Sequence, residues 1–282
     1  MVVKIVTDST SDLPPAIAAE LGITVVPAQV EFGEEVYRDG IDLTPEEFYR
    51  KLETSPVLPK TSPPAPGAFG EVYQRLAREA EAIISIHVAA DLSTTYQAAR
   101  LGASQVVCPV SIVDSRSASM ACGLLAILAA KSALEGTPLV EIEAEVRDAI
   151  PRTITYGLFD TLEYLLRGGR IGRAQALLGA VLRIKPILAI KAGEVVPIER
   201  VRTRARGMER LFELVEGPGQ PQELAVMDSN TPEDARALAR RFATIFPVDR
   251  IYMAKTGPVM GTYVGPRSLG VAVIWKKDKA EG

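Results

Sequence analysis

Three short runs of hydroxyl and carboxylate side chains are the places in this 282-residue chain where chemistry could be done. They are Asp8-Ser9-Thr10-Ser11-Asp12, Thr61-Ser62 and Asp91-Leu92-Ser93-Thr94-Thr95-Tyr96. Such segments offer backbone N–H and side-chain O–H groups together, which suits an anionic head such as a carboxylate or phosphate. The same residue types also cap helices and close turns by satisfying free N–H groups. One run alone would signify no more than capping. Three of them, on loops that leave strands, point to a site as readily as to caps.

Other catalytic chemistry finds less support. His87 is the only histidine, so a metal set or a triad lacks evident partners, and a hydrogen-bonded structural histidine is the expectation. Asp8 and Asp114 end two strands and could approach each other, yet most such residues stabilise loops. An enzyme of the hydrolase or phosphotransferase kind would have to use Asp8, Ser93 and Asp114, with no activated nucleophile in view. No P-loop lysine motif and no Rossmann glycine triplet follow the first strand. Cys108 and Cys122 are too few and too separated for a zinc or redox motif. The stretch Leu166-Arg167-Gly168-Gly169-Arg170-Ile171-Gly172-Arg173 reads as a cationic contact loop or as a helix C-cap with surface arginines. Arg200-Val201-Arg202-Thr203-Arg204-Ala205-Arg206 reads as a solvated face or as a docking surface for an acidic partner.

The elements that must position these residues follow from periodicity. Lys4 to Thr7, Ile23 to Val30, Ile83 to Ala89 and Val110 to Asp114 read as strands. Helices are predicted from Pro14-Pro15 to Leu21, at Thr95 to Gln105 and at Ser117 to Glu135. Alternation of strand and helix is the signature of a parallel sheet flanked by helices, and ligands bind such sheets outside the carboxyl ends of the strands. Thr137-Pro138 reads as the start of a helix that stops at Ile150, before Pro151. Beyond it, Thr153 to Phe159, Ile187 to Ile190, Glu194 to Ile198, Leu224 to Asp228, Ile251 to Lys255 and Leu269 to Trp275 read as strands. Helices are expected at Thr161 to Leu166, Arg204 to Val215 and Thr231 to Phe242. Several strands follow one another directly, so a mixed sheet covered on one face fits this half. The expectation is an α/β protein of two domains, 1–150 and 151–282, and a chain of this length favours two cores. Pro-rich Ser55 to Gly67 lies inside the first and is expected to be a stiff functional loop rather than a linker.

Composition narrows the class. Apolar residues make up 47% and charged ones 24%, the balance of an ordinary globular protein. A net charge of −3 and a pI near 5.5 argue against a nucleic-acid-binding regulator. The opening Met1-Val2-Val3-Lys4-Ile5-Val6 has no basic n-region or cleavage site, so no leader is expected. The longest apolar run, Met120 to Ala130, has eleven residues against the ~20 needed to span a bilayer. A cytoplasmic protein without cofactor or metal is the expectation.

Taken in order, these segments resemble the DegV family from end to end. Lys4-Ile5-Val6-Thr7-Asp8-Ser9-Thr10-Ser11-Asp12-Leu13 resembles its opening, followed by Val26-Pro27, Tyr37-Arg38-Asp39 and Asp42. Thr61-Ser62-Pro63-Pro64-Ala65-Pro66-Gly67 is similar to its Thr-Ser-x-Pro loop, and Leu92-Ser93-Thr94-Thr95-Tyr96-Gln97 to its Leu-Ser-Gly-Thr-Tyr-Gln loop. Val113-Asp114-Ser115 with Ser119 and Gly123, Gly168-Gly169-Arg170-Ile171, Lys185-Pro186-Ile187-Leu188 and Gly257-Pro258-Val259-Met260-Gly261-Thr262 complete the match.

The resemblance implies an α/β/α domain joined to a domain built on a six-stranded mixed sheet, holding one long-chain fatty acid such as palmitate, stearate or oleate. It implies a non-catalytic role: the acyl-carrying subunit of a two-component bacterial fatty acid kinase, in phospholipid metabolism, with ATP bound by the separate kinase subunit. The carboxylate is expected at Thr61, Ser62, Ser93, Thr94 and Tyr263. The tail is expected along Phe159, Leu165, Ile187 and Leu188, and partner contact at Arg170 and Arg202. Two departures bear on this. Thr262-Tyr263-Val264-Gly265-Pro266-Arg267 stands where the family often has Thr-His-x-Gly-Pro-Gly, so Tyr263 replaces a histidine and Arg267 a glycine; Thr94 replaces the glycine of the Leu-Ser-Gly-Thr loop. A tyrosine O–H keeps the hydrogen bond. The alternative to coupling with a kinase is a stand-alone storage or transport role. At about 0.8 kcal/mol per buried CH₂, a tail of roughly sixteen carbons contributes a gross ~11 kcal/mol before ordering costs, so affinity is expected from the tail and orientation from the head.

Overall fold

Short apolar runs separated by helices build the first half. The computed structural model describes residues 2–177, 184–217 and 219–277. Strand β1 (Val3–Asp8) passes through a 3-10 turn at Ser9–Ser11 into α1 (Pro15–Glu20), which Pro15 opens at no cost in hydrogen bonds, and then β2 (Ile23–Val26). Next come β3 (Gln29–Phe32), β4 (Glu35–Arg38), α2 (Pro45–Thr54), β5 (Lys60–Ser62) and α3 (Pro66–Leu76). The half closes with β6 (Ala82–His87), α4 (Thr95–Ala103), β7 (Val110–Asp114), α5 (Met120–Leu134) and α6 (Leu139–Ala149). Strands β2, β1, β6 and β7 lie in that order, all parallel.

One predicted strand is two. Ile23 to Val30 breaks at Pro27, which has no N–H for a ladder, and β3 leaves the parallel sheet to pair antiparallel with β4 and β5 in a three-stranded sheet. The Pro-rich segment contributes β5 to this small sheet, and Pro66 then occupies the first turn of α3. Helix α2 carries a full capping box, Thr44 accepting from the Glu47 N–H and Glu47 accepting from the Thr44 N–H.

The second half begins after a 3-10 turn at Ile150–Arg152 with β8 (Thr153–Leu158), α7 (Glu163–Arg167), a 3-10 turn at Gly172–Leu177, β9 (Lys185–Lys191) and β10 (Glu194–Val201). It continues with α8 (Arg204–Glu216), β11 (Pro221–Asp228), α9 (Pro232–Phe242), β12 (Ile251–Lys255), α10 (Pro258–Val264) and β13 (Leu269–Trp275). The mixed sheet runs β10-β9-β8-β13-β11-β12, antiparallel throughout except for the parallel pair β11–β12.

Alternation decides what each face of this sheet meets. Tyr156, Leu158, Ile187, Ala189, Val226 and Val271 point to α8 and α9, packing on Leu211, Phe212, Leu238 and Phe242. On the other face, Ala225, Met227, Ala272 and Ile274 meet Leu124, Leu125 and Leu128 of α5, which also packs on Ile5, Ile84 and Ile86 of the parallel sheet. Helix α5 lies between two sheets, and this is why Met120 to Ala130 is apolar on every side. The β8–β9–β10 end of the same face is left for a cavity. Among the described residues, no helix is long and apolar enough to cross a membrane.

Candidate functional site: a hydroxyl-headed apolar cavity

A cavity of about 720 Å³ lies between the loops at the carboxyl ends of β1, β6 and β7 and the uncovered end of the six-stranded sheet. That volume is in the range of small-molecule sites. Apolar wall comes from Phe159, Leu165, Leu188, Ile190 and Val195, with Thr10, Thr61, Ser93, Ser119 and Thr155 supplying hydroxyls.

Local structure places each hydroxyl. Thr61 sits on β5 opposite Val30, and its hydroxyl bonds that of Tyr263, which α10 brings from the other end of the chain. Ser62, one residue on, lines the cavity but donates to Glu31. Ser93 precedes α4: its Oγ accepts from the Thr95 N–H at 3.2 Å and bonds the Thr95 hydroxyl at 2.9 Å. Thr94 is the exposed N-cap residue of α4, with no capping bond from its own side chain. A turn bond to the first helical N–H and site lining thus coexist at Ser93. Arg170 stacks over the Tyr263 ring, 5.0 Å from its centroid, while its Nε donates to the Leu92 carbonyl at 3.1 Å and its Nη1 to the Gly168 carbonyl. The tyrosine ring packs so closely on Gly168 that no Cβ fits there.

Of the residues expected along the tail, Phe159, Leu165 and Leu188 line the cavity. Ile187 does not: alternation turns it to the opposite face of β9, into the core under α8. Arg202 is exposed just beyond β10 and does not line the cavity, whereas Arg170 does.

The carboxylates considered for catalysis do not converge on Ser93. Strand β6 separates β1 from β7, which sets the backbones of Asp8 and Asp114 about 10 Å apart. Asp8 accepts from the Thr10 N–H and hydroxyl and pairs with His87 Nδ1 at 2.8 Å, and Asp114 accepts from the Arg116 N–H at 2.8 Å. His87 Nε2 bonds Ser85 Oγ at 2.7 Å, which in turn accepts from the Tyr73 hydroxyl. This Asp8–His87–Ser85 chain has the connectivity of a hydrolase triad, yet all three side chains are fully buried, so no substrate carbonyl reaches Ser85. Two further buried carboxylates hold α10 in place. Asp12 accepts from the Gly257 N–H at 2.8 Å and the Ser119 hydroxyl at 2.5 Å, and Asp39 accepts from the Val259 N–H and the Ser9 hydroxyl. Burial pushes both carboxyls up, Asp12 well above its ordinary range and Asp39 to about 7. Among the described residues, no group of three or more His, Cys, Asp or Glu side chains could hold a metal ion.

The sequence reading misses the wall residues Thr155, Gly157, Met227 and Gly270. For the first two the signal available was alternation: Thr155 and Gly157 share one face of β8, and Phe159 follows just past its end.

Fold and cavity together define an α/β protein of two large sheets and one small one, with a hydroxyl-headed apolar pocket between its halves. A family profile described as "Uncharacterised protein, DegV family" matches residues 2–276. The chain belongs to the DegV family. It is 38% identical over 276 residues to a DegV domain-containing protein of Streptomyces coelicolor, covering 96% of this chain and 98% of that one. Among solved structures it is similar to a DegV family protein of Thermus thermophilus, described for its fatty acid binding, with a TM-score of 0.91 and 33% identity over 98% of this chain and 100% of that one. DegV of Bacillus subtilis, described as a fatty acid binding protein, matches with a TM-score of 0.89 and 33% identity over the same shares.

Proposed function

We propose that this protein binds one long-chain fatty acid, with the tail in the 720 Å³ cavity and the carboxylate at Thr61, Ser93 and Tyr263, and with Ser62 and Thr94 flanking it. The observation that carries the reading is the apolar cavity headed by hydroxyls from three distant segments, on a fold shared with proteins described as binding fatty acids. Burying a carboxylate without partners costs several kcal/mol, and hydroxyl donors offset that cost. In this reading, segment 1–150 supplies the head-group loops, and segment 151–282 supplies Tyr263 and the sheet that carries the tail.

The protein is not itself the catalyst. It presents the carboxylate to a separate ATP-binding fatty acid kinase subunit, which docks on the side of Arg170 and Arg202 and makes the acyl phosphate. A second reading, a stand-alone fatty acid store or carrier, is favoured by one observation: the Tyr263 hydroxyl is engaged by Thr61 and carries no positive charge at neutral pH. Denaturing extraction and lipid analysis of the purified protein test the binding, with about one acyl chain per protein expected. Absence of any acyl species, together with no uptake of added palmitate or oleate, refutes it. Adding a fatty acid kinase subunit and ATP separates the two roles, since acyl phosphate forms only under the first.

A further inference from the structure

One patch in the floor of the cavity lacks two side chains. Gly157 of β8 and Gly270 of β13 are direct partners across the antiparallel ladder, and both line the cavity. Directly opposed residues on one face stand only about 5 Å apart, so two opposed glycines remove both Cβ atoms from a single patch and leave backbone that only neighbouring side chains can cover.

That patch is not empty. A Cβ on Gly157 would come within 2.7 and 2.8 Å of Cε2 and Cζ of the Phe159 ring, and a Cβ on Gly270 within 2.8 Å of Met227 Cε. In both cases the obstructing atoms are the far ends of side chains, and Phe159 and Met227 are themselves wall residues. A Met tip re-packs readily, because three rotatable bonds separate it from the backbone. Neither glycine has a positive φ, so the backbone does not call for glycine at either position.

We propose that Gly157 and Gly270 form the seat over which the acyl chain crosses the sheet, with Phe159 and Met227 as its movable rims, and that this pair sets the longest chain the protein accepts. The inference rests on the fatty-acid reading above and adds to it the determinant of tail length. A methyl group on either glycine pushes its rim side chain into the path of the tail. Chains short enough to end before the crossing are unaffected, and longer ones leave methylene groups unburied.

The test compares binding of laurate, palmitate and stearate, by displacement of a fluorescent fatty acid from delipidated protein, in wild type, Gly270→Ala and Gly157→Ala. The expected result is a loss of about tenfold for stearate, the share of roughly two methylene groups, with laurate unchanged. The double variant Gly270→Ala/Met227→Val should recover stearate binding, because Val withdraws the tip that the added methyl displaces. An unfolded single variant would leave this recovery as the deciding measurement. Wild-type binding with equal losses for all three acids in the glycine variants, or no recovery in the double variant, overturns the length determinant while leaving fatty acid binding intact. Failure of the wild type to bind any of the three overturns the underlying reading instead.

Discussion

At the scale of single residues, the hydroxyls at the head of the cavity carry two duties that a mutation can separate. Ser93 accepts from the Thr95 N–H and faces the cavity. As the acceptor of the turn bond from the Thr95 N–H its loss costs about 1 kcal/mol of stability, and as a donor to a buried carboxylate its loss costs roughly 1–3 kcal/mol of affinity. Ser93→Ala is expected to lower both the unfolding free energy and palmitate affinity, measured by denaturant titration and by fluorescent displacement on the same preparation. A fall in stability with affinity unchanged would reduce Ser93 to a turn-stabilising residue. His87 teaches the converse lesson. Its sequence context suggests a structural histidine, and it does bond Asp8 and Ser85 inside the sheet, whereas the Tyr73 partner of Ser85 was unreadable because that pairing depends on how β6 and α3 pack.

At the scale of elements, α10 is the piece that brings Tyr263 to Thr61, and buried carboxylates hold its first turn. Asp39 accepts from the Val259 N–H, but its Oδ2 is buried without a hydrogen-bond partner, and burial raises its pKa from the usual 3.8 to about 7. Asp8, Asp12 and Tyr49 are the titratable groups around it. The folded protein therefore holds this proton more tightly than the unfolded chain. Stability from Asp39 is present at low pH and is lost as pH rises from about 4 through about 7. Asp39→Asn removes that slope, so the stability gap between variant and wild type should shift in favour of the variant from pH 5 to pH 8, read from urea midpoints. A gap independent of pH would show that Asp39 does not titrate in this window. Of the elements themselves, most were legible. The four parallel strands and the strands of the mixed sheet fall where apolar runs and alternation put them. Helix α10 was not, since Gly257-Pro258-Val259-Met260-Gly261 is short and glycine-rich, and the Asp12 and Asp39 side chains that bind the Gly257 and Val259 N–H groups come from distant segments. The three-stranded sheet was hidden too, because Lys60-Thr61-Ser62 has no apolar alternation and pairs only through β3.

For the whole molecule, the question is whether two sheets mean two independent folding units. The strand sets fall on either side of residue 150, but one apolar cluster runs from Val3 through α5 to Ile274 and includes Ala225, Met227 and Ala272 of the second sheet. Burying α5 against only one sheet would leave its other side in water, at ~25 cal/mol for each Å² of apolar area. We therefore propose 1–150 and 151–282 as two sheet-building segments that unfold as one cooperative unit. Two probes report on the two segments: fluorescence of Trp275, the only tryptophan, on β13, and thiol labelling of Cys122, fully buried in α5, in a Cys108→Ser background. Their urea midpoints should coincide. Because the cavity is walled by both segments, added fatty acid should raise both midpoints together, with the unfolding free energy up by about 2.7 kcal/mol at a free concentration one hundred times Kd. Separate transitions, with the ligand shifting only one of them, would show that α5 belongs energetically to a single sheet.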